Sequence, residues 1–576
     1  MSCDKLVFDL SQEVEGSPSV FVKKDWLNIL DNQNSNYNSN QSVIDTSQLS
    51  NSNKYMSYRE AYLAVPMLLT LATTDDLTYG NFLPNTGATS ADYAVGLKNW
   101  YGQIVHSLTL DYNGTTTIQQ TPYCNMWNSF KLMTSFSWND VWTQGASIGF
   151  YPDDPLAFKF IKNGTATASG MGVCNNSTAG SFANTSGAFN NYRSGKGNEG
   201  FVKRQQYIAY DTAGISGDGV YGDDLLSSNS SSQIWKSYIS NKINGVNTTT
   251  PGVFQISIMA TIYLKHLHSF FASIPLLKGA YMKLTLNLNN STTRFNTTGG
   301  LMTLVSVSNA VGGVNPLMIA DTTPGNGGVA LGISTYTANL SVGARCLEPS
   351  LSSLTGVLEG GVARSVYLYI PSYSFNPVFE SAYLSSPIKQ INYTDIYQYQ
   401  VKNVQAYTGI VNQLITNGIA NIKSILVVPF FADQLAHSGL PNGIPVYQSP
   451  FDIAGTGGTS PMINLTNFNV VVSGQNAIYN TQRYSFEEFN NQLYGVNAVN
   501  GGMTDGITSG LIDRLGFDME YGYYYIDLSR MLPVEESVPK SIQLIGQNLS
   551  QSNIDLFCFI EYGISIQVDI LTGVRV

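Results

Sequence analysis

Residues 253–289, VFQISIMATIYLKHLHSFFASIPLLKGAYMKLTLNLN, constrain the fold more than any other stretch. Phe254, Ile256, Ile258, Ala260, Ile262 and Leu264 fall on one side of an extended chain, and Gln255, Ser257, Thr261, Tyr263 and Lys265 on the other. After a short helix-like connection, Met282, Leu284, Leu286 and Leu288 alternate with Tyr281, Lys283, Thr285 and Asn287. A period of two sustained this long means half-buried β-strands. A similar arrangement returns at 521–570, where YGYYYIDL, a loop with Pro533 and Pro539, SIQLIGQNL and IDLFCFIEYGISIQVDI follow one another. In that tail, read as a strand pair, Leu556 and Ile566 lie on apolar faces, and Asp555 and Gln567 on the opposite ones. One large β unit therefore occurs twice.

A chain of 576 residues exceeds what a single hydrophobic core supports, so two or more domains are expected. Only 12% of residues are charged, about half the usual share. Asn, Gly, Ser, Thr and Tyr fill the gap, which suits a surface covered by neighbours or one outside a cell. The net charge is −10 and no Lys/Arg run could track a phosphate backbone, so direct nucleic-acid binding is not expected. The five cysteines (Cys3, Cys124, Cys174, Cys346, Cys558) show no CxxC spacing. This argues against a disulfide framework or zinc site and fits assembly in a reducing cytosol, with Cys558 a buried small hydrophobe. The N-terminal stretch lacks an apolar core, so no signal peptide is expected, and the apolar run at 61–72 is too short to span a bilayer.

Along the chain, FVKKDWLNIL at 21–30 places Val22, Trp26 and Ile29 or Leu30 on one helical face. The Asn/Ser-rich stretch 31–54 reads as a tether, making 1–54 an arm that docks on a neighbour or an inner layer. Strands are expected at 57–72, 103–111, 301–308, 333–342, 364–371, 389–402, 421–431 and 461–472, with short turns at 267–273, 376–384 and 486–493. Asn113-Gly114 is a hairpin signal. Residues 122–142 form an aromatic block, and 145–250, rich in Gly, Asn, Ser and Thr, read as long loop excursions that carry contacts.

Several short motifs invite a chemical reading, and each has a simpler structural one. Gly145-Ala146-Ser147-Ile148-Gly149 is a formal G-x-S-x-G, but a nucleophile elbow needs a strand–turn–helix in an α/β sheet; here a small-residue strand or turn is expected, with Ser147 inert. His266 and His268 would share one strand face, yet only His106 and His437 complete the histidine set, too few for a metal. Asp75-Asp76, Asp153-Asp154, Asp223-Asp224, Glu487-Glu488 and Glu535-Glu536 are adjacent and so point apart on a strand, reading as turns and surface rather than a glycosidase pair. Asp218–Asp224 offers oxygens to calcium without EF-hand spacing, and Gly455–Gly458 lacks a following helix to hold phosphate. The sequons at Asn113, Asn163, Asn247, Asn296, Asn339, Asn392, Asn464 and Asn548 are expected by chance in so Asn-rich a chain. All six tryptophans precede residue 236, pointing either to a glycan platform or, more simply, to core and contacts. No catalytic, metal or cofactor residue is assigned.

Three stretches carry a family resemblance. YLKHLHSFFASIPLLKGAYMKLTLNLN at 263–289, SLTLDYNGTTTIQQTPYCNMWNSFKLMTS at 107–135, and YYYIDLSRMLPVEESVPKSIQLIG followed by NIDLFCFIEYGISI resemble elements of double jelly-roll major capsid proteins of icosahedral DNA viruses, most of all those of virophages and polinton-like viruses. NIKSILVVPFF at 421–431 is similar to that family's inner strand of the second jelly roll. The resemblance spans about 55–576. It implies an all-β chain of two consecutive eight-stranded jelly-roll sandwiches with long loops and few short helices: a first at 55–385 and a second at 386–576. It further implies a non-enzymatic capsid protein that forms a homotrimeric, pseudo-hexameric capsomer. Such a capsomer would self-assemble in the host cell cytoplasm into an icosahedral virion shell with penton and minor capsid proteins. The alternative is a surface adhesin or carbohydrate-binding β-sandwich.

Overall fold

The computed structural model describes residues 19–33, 37, 40–73, 93–153, 199–204, 206–207, 253–298, 301–321, 336–343, 365–432, 444–450, 463–478, 484–499, 509–519, 521–529, 538–550 and 553–576. In chain order the strands of a first unit are β1 (Phe21–Leu30), β2 (Gln41–Asp45), β3 (Tyr55–Met56), β4 (Tyr62–Thr73), β5 (Tyr93–Leu97), β6 (Val105–Tyr112), β7 (Thr115–Ile118), β8 (Gln206–Tyr207), β9 (Val253–Tyr263), β10 (Met282–Leu288), β11 (Ser291–Thr298), β12 (Leu301–Asn309), β13 (Leu317–Asp321), β14 (Tyr336–Gly343) and β15 (Tyr367–Phe375). Those of a second unit are β16 (Ile388–Val404), β17 (Gly409–Ile419), β18 (Ile422–Phe431), β19 (Leu465–Val472), β20 (Gln475–Asn476), β21 (Tyr524–Asp527), β22 (Lys540–Asn548) and β23 (Ile554–Asp569).

The sheet order makes the chain a double jelly roll. The second unit pairs its strands as β16-β23-β18-β21 and β17-β22-β19-β20. Within the first unit, β1-β15-β4-β9 and β2-β10-β6-β7 are the corresponding paths. If each set of eight is counted in chain order, both units read 1-8-3-6 in one sheet and 2-7-4-5 in the other. All these pairings are antiparallel, which lets each sheet bury one face. Alternation follows: β10 and β22 bury every second residue along their lengths. The Asn113-Gly114 hairpin joins β6 to β7 with both residues at positive φ (49° and 78°), the conformation a two-residue hairpin with matching twist requires.

The first unit carries more than its jelly roll. β4 pairs with β15 over Tyr62–Ala64 and, further on, with β14 over Leu68–Thr73, so β14-β11-β12 extends the sheet lengthwise. β13-β5-β8 form a third small sheet and β3 adds to β15. These strands all come from connections between jelly-roll strands, which is why the first unit departs from a plain eight-strand count.

Three expectations are corrected. First, the proposed arm is part of the sandwich over its described residues. Residues 21–30 are not a helix but β1, paired with β15 from Phe21↔Phe375 to Leu30↔Tyr367, and β2 pairs with β10. Ile29, Tyr37, Ile44 and Leu49 are buried in the core. The helical spacing of Val22, Trp26 and Leu30 is also compatible with a strand, and a partner strand hundreds of positions away decides between them. Second, 554–570 is one long strand and not a strand pair; Leu556 and Ile566 are buried and Gln567 is exposed, but Asp555 is buried too, because residues 554–561 are covered on both faces. Third, the turns expected at 376–384 and 486–493 are helices, Pro377–Leu384 and Phe486–Val499, whereas the helix-like connection after β9 is two short helices, Leu264–Leu267 and Ser269–Ser273. The expected strands at 57–72, 103–111, 301–308, 333–342, 364–371, 389–402, 421–431 and 461–472 correspond to β4, β6, β12, β14, β15, β16, β18 and β19.

Candidate functional site

The chemistry-bearing motifs dissolve into structure where they are described. Gly145–Gly149 closes helix α2 (Trp138–Ile148), which follows α1 (Cys124–Ser135), and is neither strand nor turn-to-strand. Ser147 Oγ is exposed and donates to Gln144 O at 2.7 Å, a bond internal to the helix. Both glycines have local reasons. A Cβ on Gly145 would sit 2.6 Å from Phe150 O, and Gly149 is the left-handed residue ending the helix, against the Tyr101 ring.

His266 and His268 do not share a strand face, because a helical turn at 264–267 intervenes. Burial, and secondarily Lys265, pushes His266 down to about 4, and it lies edge-on to Phe136 and Tyr263. Burial likewise lowers His106 to about 4. The thiols of Cys124 and Cys558 are pushed up to about 12 by burial, as inert core hydrophobes. Asp153, expected at the surface, is buried and bonded to Arg204 Nη2 at 2.7 Å. Glu487 and Glu488 occupy the first turn of a helix, where acidic groups complement its dipole. Asn548 is buried, its amide donating to Val404 O and Gln405 O, which closes that sequon to a glycan. Among the described residues no group of three His, Cys, Asp or Glu is placed to hold a metal, and no helix is long and apolar enough to cross a membrane. The calcium-like loop 218–224, Gly455–Gly458, His437, Trp235, Asp75-Asp76, Asp223-Asp224 and Glu535-Glu536 lie outside the described residues, as does most of 145–250.

What the structure does assemble is faces. The outer face of the second unit's β16-β23-β18-β21 sheet carries Phe557, Phe559, Leu426, Val428 and Tyr525, and α1 of the first unit lies on it. Tyr123, just before α1, meets Phe557 at 5.0 Å between ring centroids; Trp127 meets Phe559 at 6.3 Å; Phe130 stacks on Tyr525 at 5.4 Å. The backbone joins in: Leu511 N donates to Met133 O at 2.8 Å. Gly510 lies at φ +70° with its missing Cβ 2.5 Å from Thr134 O, so only glycine fits there.

A second seam runs along β16. His268 Nδ1 accepts from Phe270 N, which leaves Nε2 to donate to Asp395 Oδ1 at 3.3 Å, both side chains being buried. Ser269 Oγ donates to Thr394 O at 2.6 Å, Thr121 Oγ1 to Ile396 O at 2.8 Å, and Tyr393 OH to Thr117 O at 2.8 Å. One hydrophobic cluster runs through both units as a result.

The corresponding outer face of the first unit is different. Trp26, Tyr369, Tyr62 and Tyr263 form a ladder across β1, β15, β4 and β9. Tyr62 lies 5.6 Å from Trp26, 5.1 Å from Tyr369 and 5.6 Å from Tyr263. Trp26 is 49% exposed, and Met259 and Leu30 on the same face are also exposed. Lys24 sits over Trp26 at 5.3 Å and pairs with Glu60 at 2.6 Å at the rim. Elsewhere, Trp138 and Trp142, both exposed, rim a cavity of about 310 Å³ reaching to Asp513 and Leu515 of the second unit. Sequence reasoning picked out Trp26 but gave it the wrong period; the tyrosine ladder has no local signal, since its members come from four distant strands.

No family model matches the chain, and no curated protein matches it. Among solved structures it is similar to a cryo-EM structure of the Sputnik virophage, at 11% identity over 98% of this chain and 90% of that chain, with a TM-score of 0.47. It is also similar to the Faustovirus major capsid protein (9% identity, 98% and 94% coverage, TM-score 0.42) and to the mavirus major capsid protein (8%, 98% and 92%, TM-score 0.37).

Proposed function

We propose that this chain is a major capsid protein: a non-enzymatic shell subunit whose homotrimer is a pseudo-hexagonal capsomer of an icosahedral virion. The observation that carries the reading is the repetition of one eight-strand order twice in a single chain, with one unit seated against the sheet face of the other. Two like units fused side by side need only three copies to present six similar bodies around an axis, and such blocks tile a surface through symmetric and heterologous contacts. The domains are taken to meet near 385/386, where the helix Pro377–Leu384 is tied to the first unit through Glu380, which bonds Lys278 and Tyr55 at 2.9 Å each. The low charge content and the sequence resemblance support the same role. Penton and minor capsid proteins as partners, a place in the virion shell and assembly in the host cytoplasm complete the reading.

The adhesin or carbohydrate-binding alternative has one foothold, the exposed Trp138 and Trp142 beside the 310 Å³ cavity. Electron micrographs of the purified chain separate the two. Hexagonal particles or closed shells support the capsid role; isolated monomers that bind a glycan array through that cavity would replace it.

A further inference from the structure

We infer that the aromatic ladder Trp26–Tyr369–Tyr62–Tyr263 is the seat of a second copy of this chain, contacted by the helices Phe486–Val499 and Arg514–Met519 of that copy's second unit. The inference rests on the capsomer reading above and adds to it the two surfaces that meet.

In both units the fifth and sixth strands of the jelly roll are joined by a long, helix-bearing connection. In the first unit it carries α1, and α1 covers the second unit's outer sheet face within the same chain. In the second unit it carries the helices Phe486–Val499 and Arg514–Met519, with Leu515 48% exposed.

The covered and uncovered faces match strand for strand. Phe557 and Phe559 on β23 correspond to Tyr367 and Tyr369 on β15; Leu426 and Val428 on β18 to Tyr62 and Ala64 on β4; Tyr525 on β21 to Tyr263 on β9. The first set is buried under α1, whereas Trp26, Met259 and Leu30 leave the second partly in water.

A helix from the same chain cannot serve both faces. A second copy can, and a contact joining unlike surfaces of identical chains closes as a ring when the rotation permits. The anatomy fits a protein partner. A Trp and several Tyr make the centre, the commonest anchors of interfaces, and the Lys24–Glu60 ion pair borders it as a polar rim.

The test compares the wild-type chain with Trp26→Asp and Met259→Asp by analytical ultracentrifugation, with circular dichroism to verify folding. We expect a wild-type trimer and at least a tenfold rise in the trimer dissociation constant for each variant. A wild-type trimer that persists unchanged in both variants overturns this inference and leaves the capsid reading standing. A wild-type monomer overturns both. Should the variants fold poorly, hydroxyl-radical footprinting of the wild type decides. Trp26 and Met259 should be several-fold less reactive in the trimer than after dilution to monomer, and equal reactivity overturns the proposal.

Discussion

The two outer sheet faces of this molecule are built on the same strand order and have opposite fates. The second unit's face is paved with Phe557, Phe559, Leu426 and Val428 and lies under Trp127 and Phe130 of the first unit. The first unit's face is paved mainly with tyrosines and one tryptophan, and remains partly exposed. The composition matches the fate. Phenylalanine and aliphatic groups suit a permanent interior, whereas tyrosine and tryptophan tolerate water on one side before a partner arrives. A fold repeated twice thus yields one covered face and one partly exposed one.

The comparison can be broken most severely at the N-terminus. Deleting 1–54 removes β1 and β2, exposing the edges of β15 and β10. No soluble, cooperatively melting protein is expected; a truncated chain that melts like the wild type would restore the reading of a dispensable arm. Next in size is Phe559→Asp. Phe559 is fully buried at the closed joint, so an unpaired carboxylate there should cost about 4 kcal/mol or more in denaturant unfolding. Trp26→Asp on the open face should leave the stability of the dissociated monomer nearly unchanged.

Acid gives the third test. The folded pKa of His106, about 4, lies below its ordinary 6.5, so its neutral form is favoured in the native state. That stability is complete above about pH 6.5 and is lost as pH falls toward 4, up to about 3 kcal/mol. His106→Gln should flatten part of the decline in unfolding free energy over that window, to which buried His266 also contributes, and an unchanged slope would remove His106 as a source. The smallest effect belongs to Gln567, exposed on β23. Gln567→Glu should change stability by no more than about 0.5 kcal/mol, and a larger loss would mean that this end of the strand is covered.

Much of the fold was legible because its strands carry local alternation. β9, β10, β22 and β23 announce themselves within a few residues, as does the Asn113-Gly114 turn. Two kinds of feature were not legible. β1 fits both periods, and its partner lies far off in sequence, Ser372 bonding Asp25 O across 347 positions. Asp555 looked solvent-facing because alternation predicts a face but not what covers it. Here Asp555 Oδ1 accepts from Asn403 N at 2.7 Å on a strand covered on both sides. The candidate site was hidden for the same reason, since a ladder drawn from four strands leaves no motif in any of them.

On the proposed reading the chain closes one joint by itself and needs further copies for the other. The mass of the purified wild-type chain in solution, at micromolar concentration and neutral pH, tests it most directly. The expected result is a particle of about 188 kDa, three times the 62.7 kDa of one chain. A species at 62.7 kDa that stays monomeric as concentration rises would contradict it.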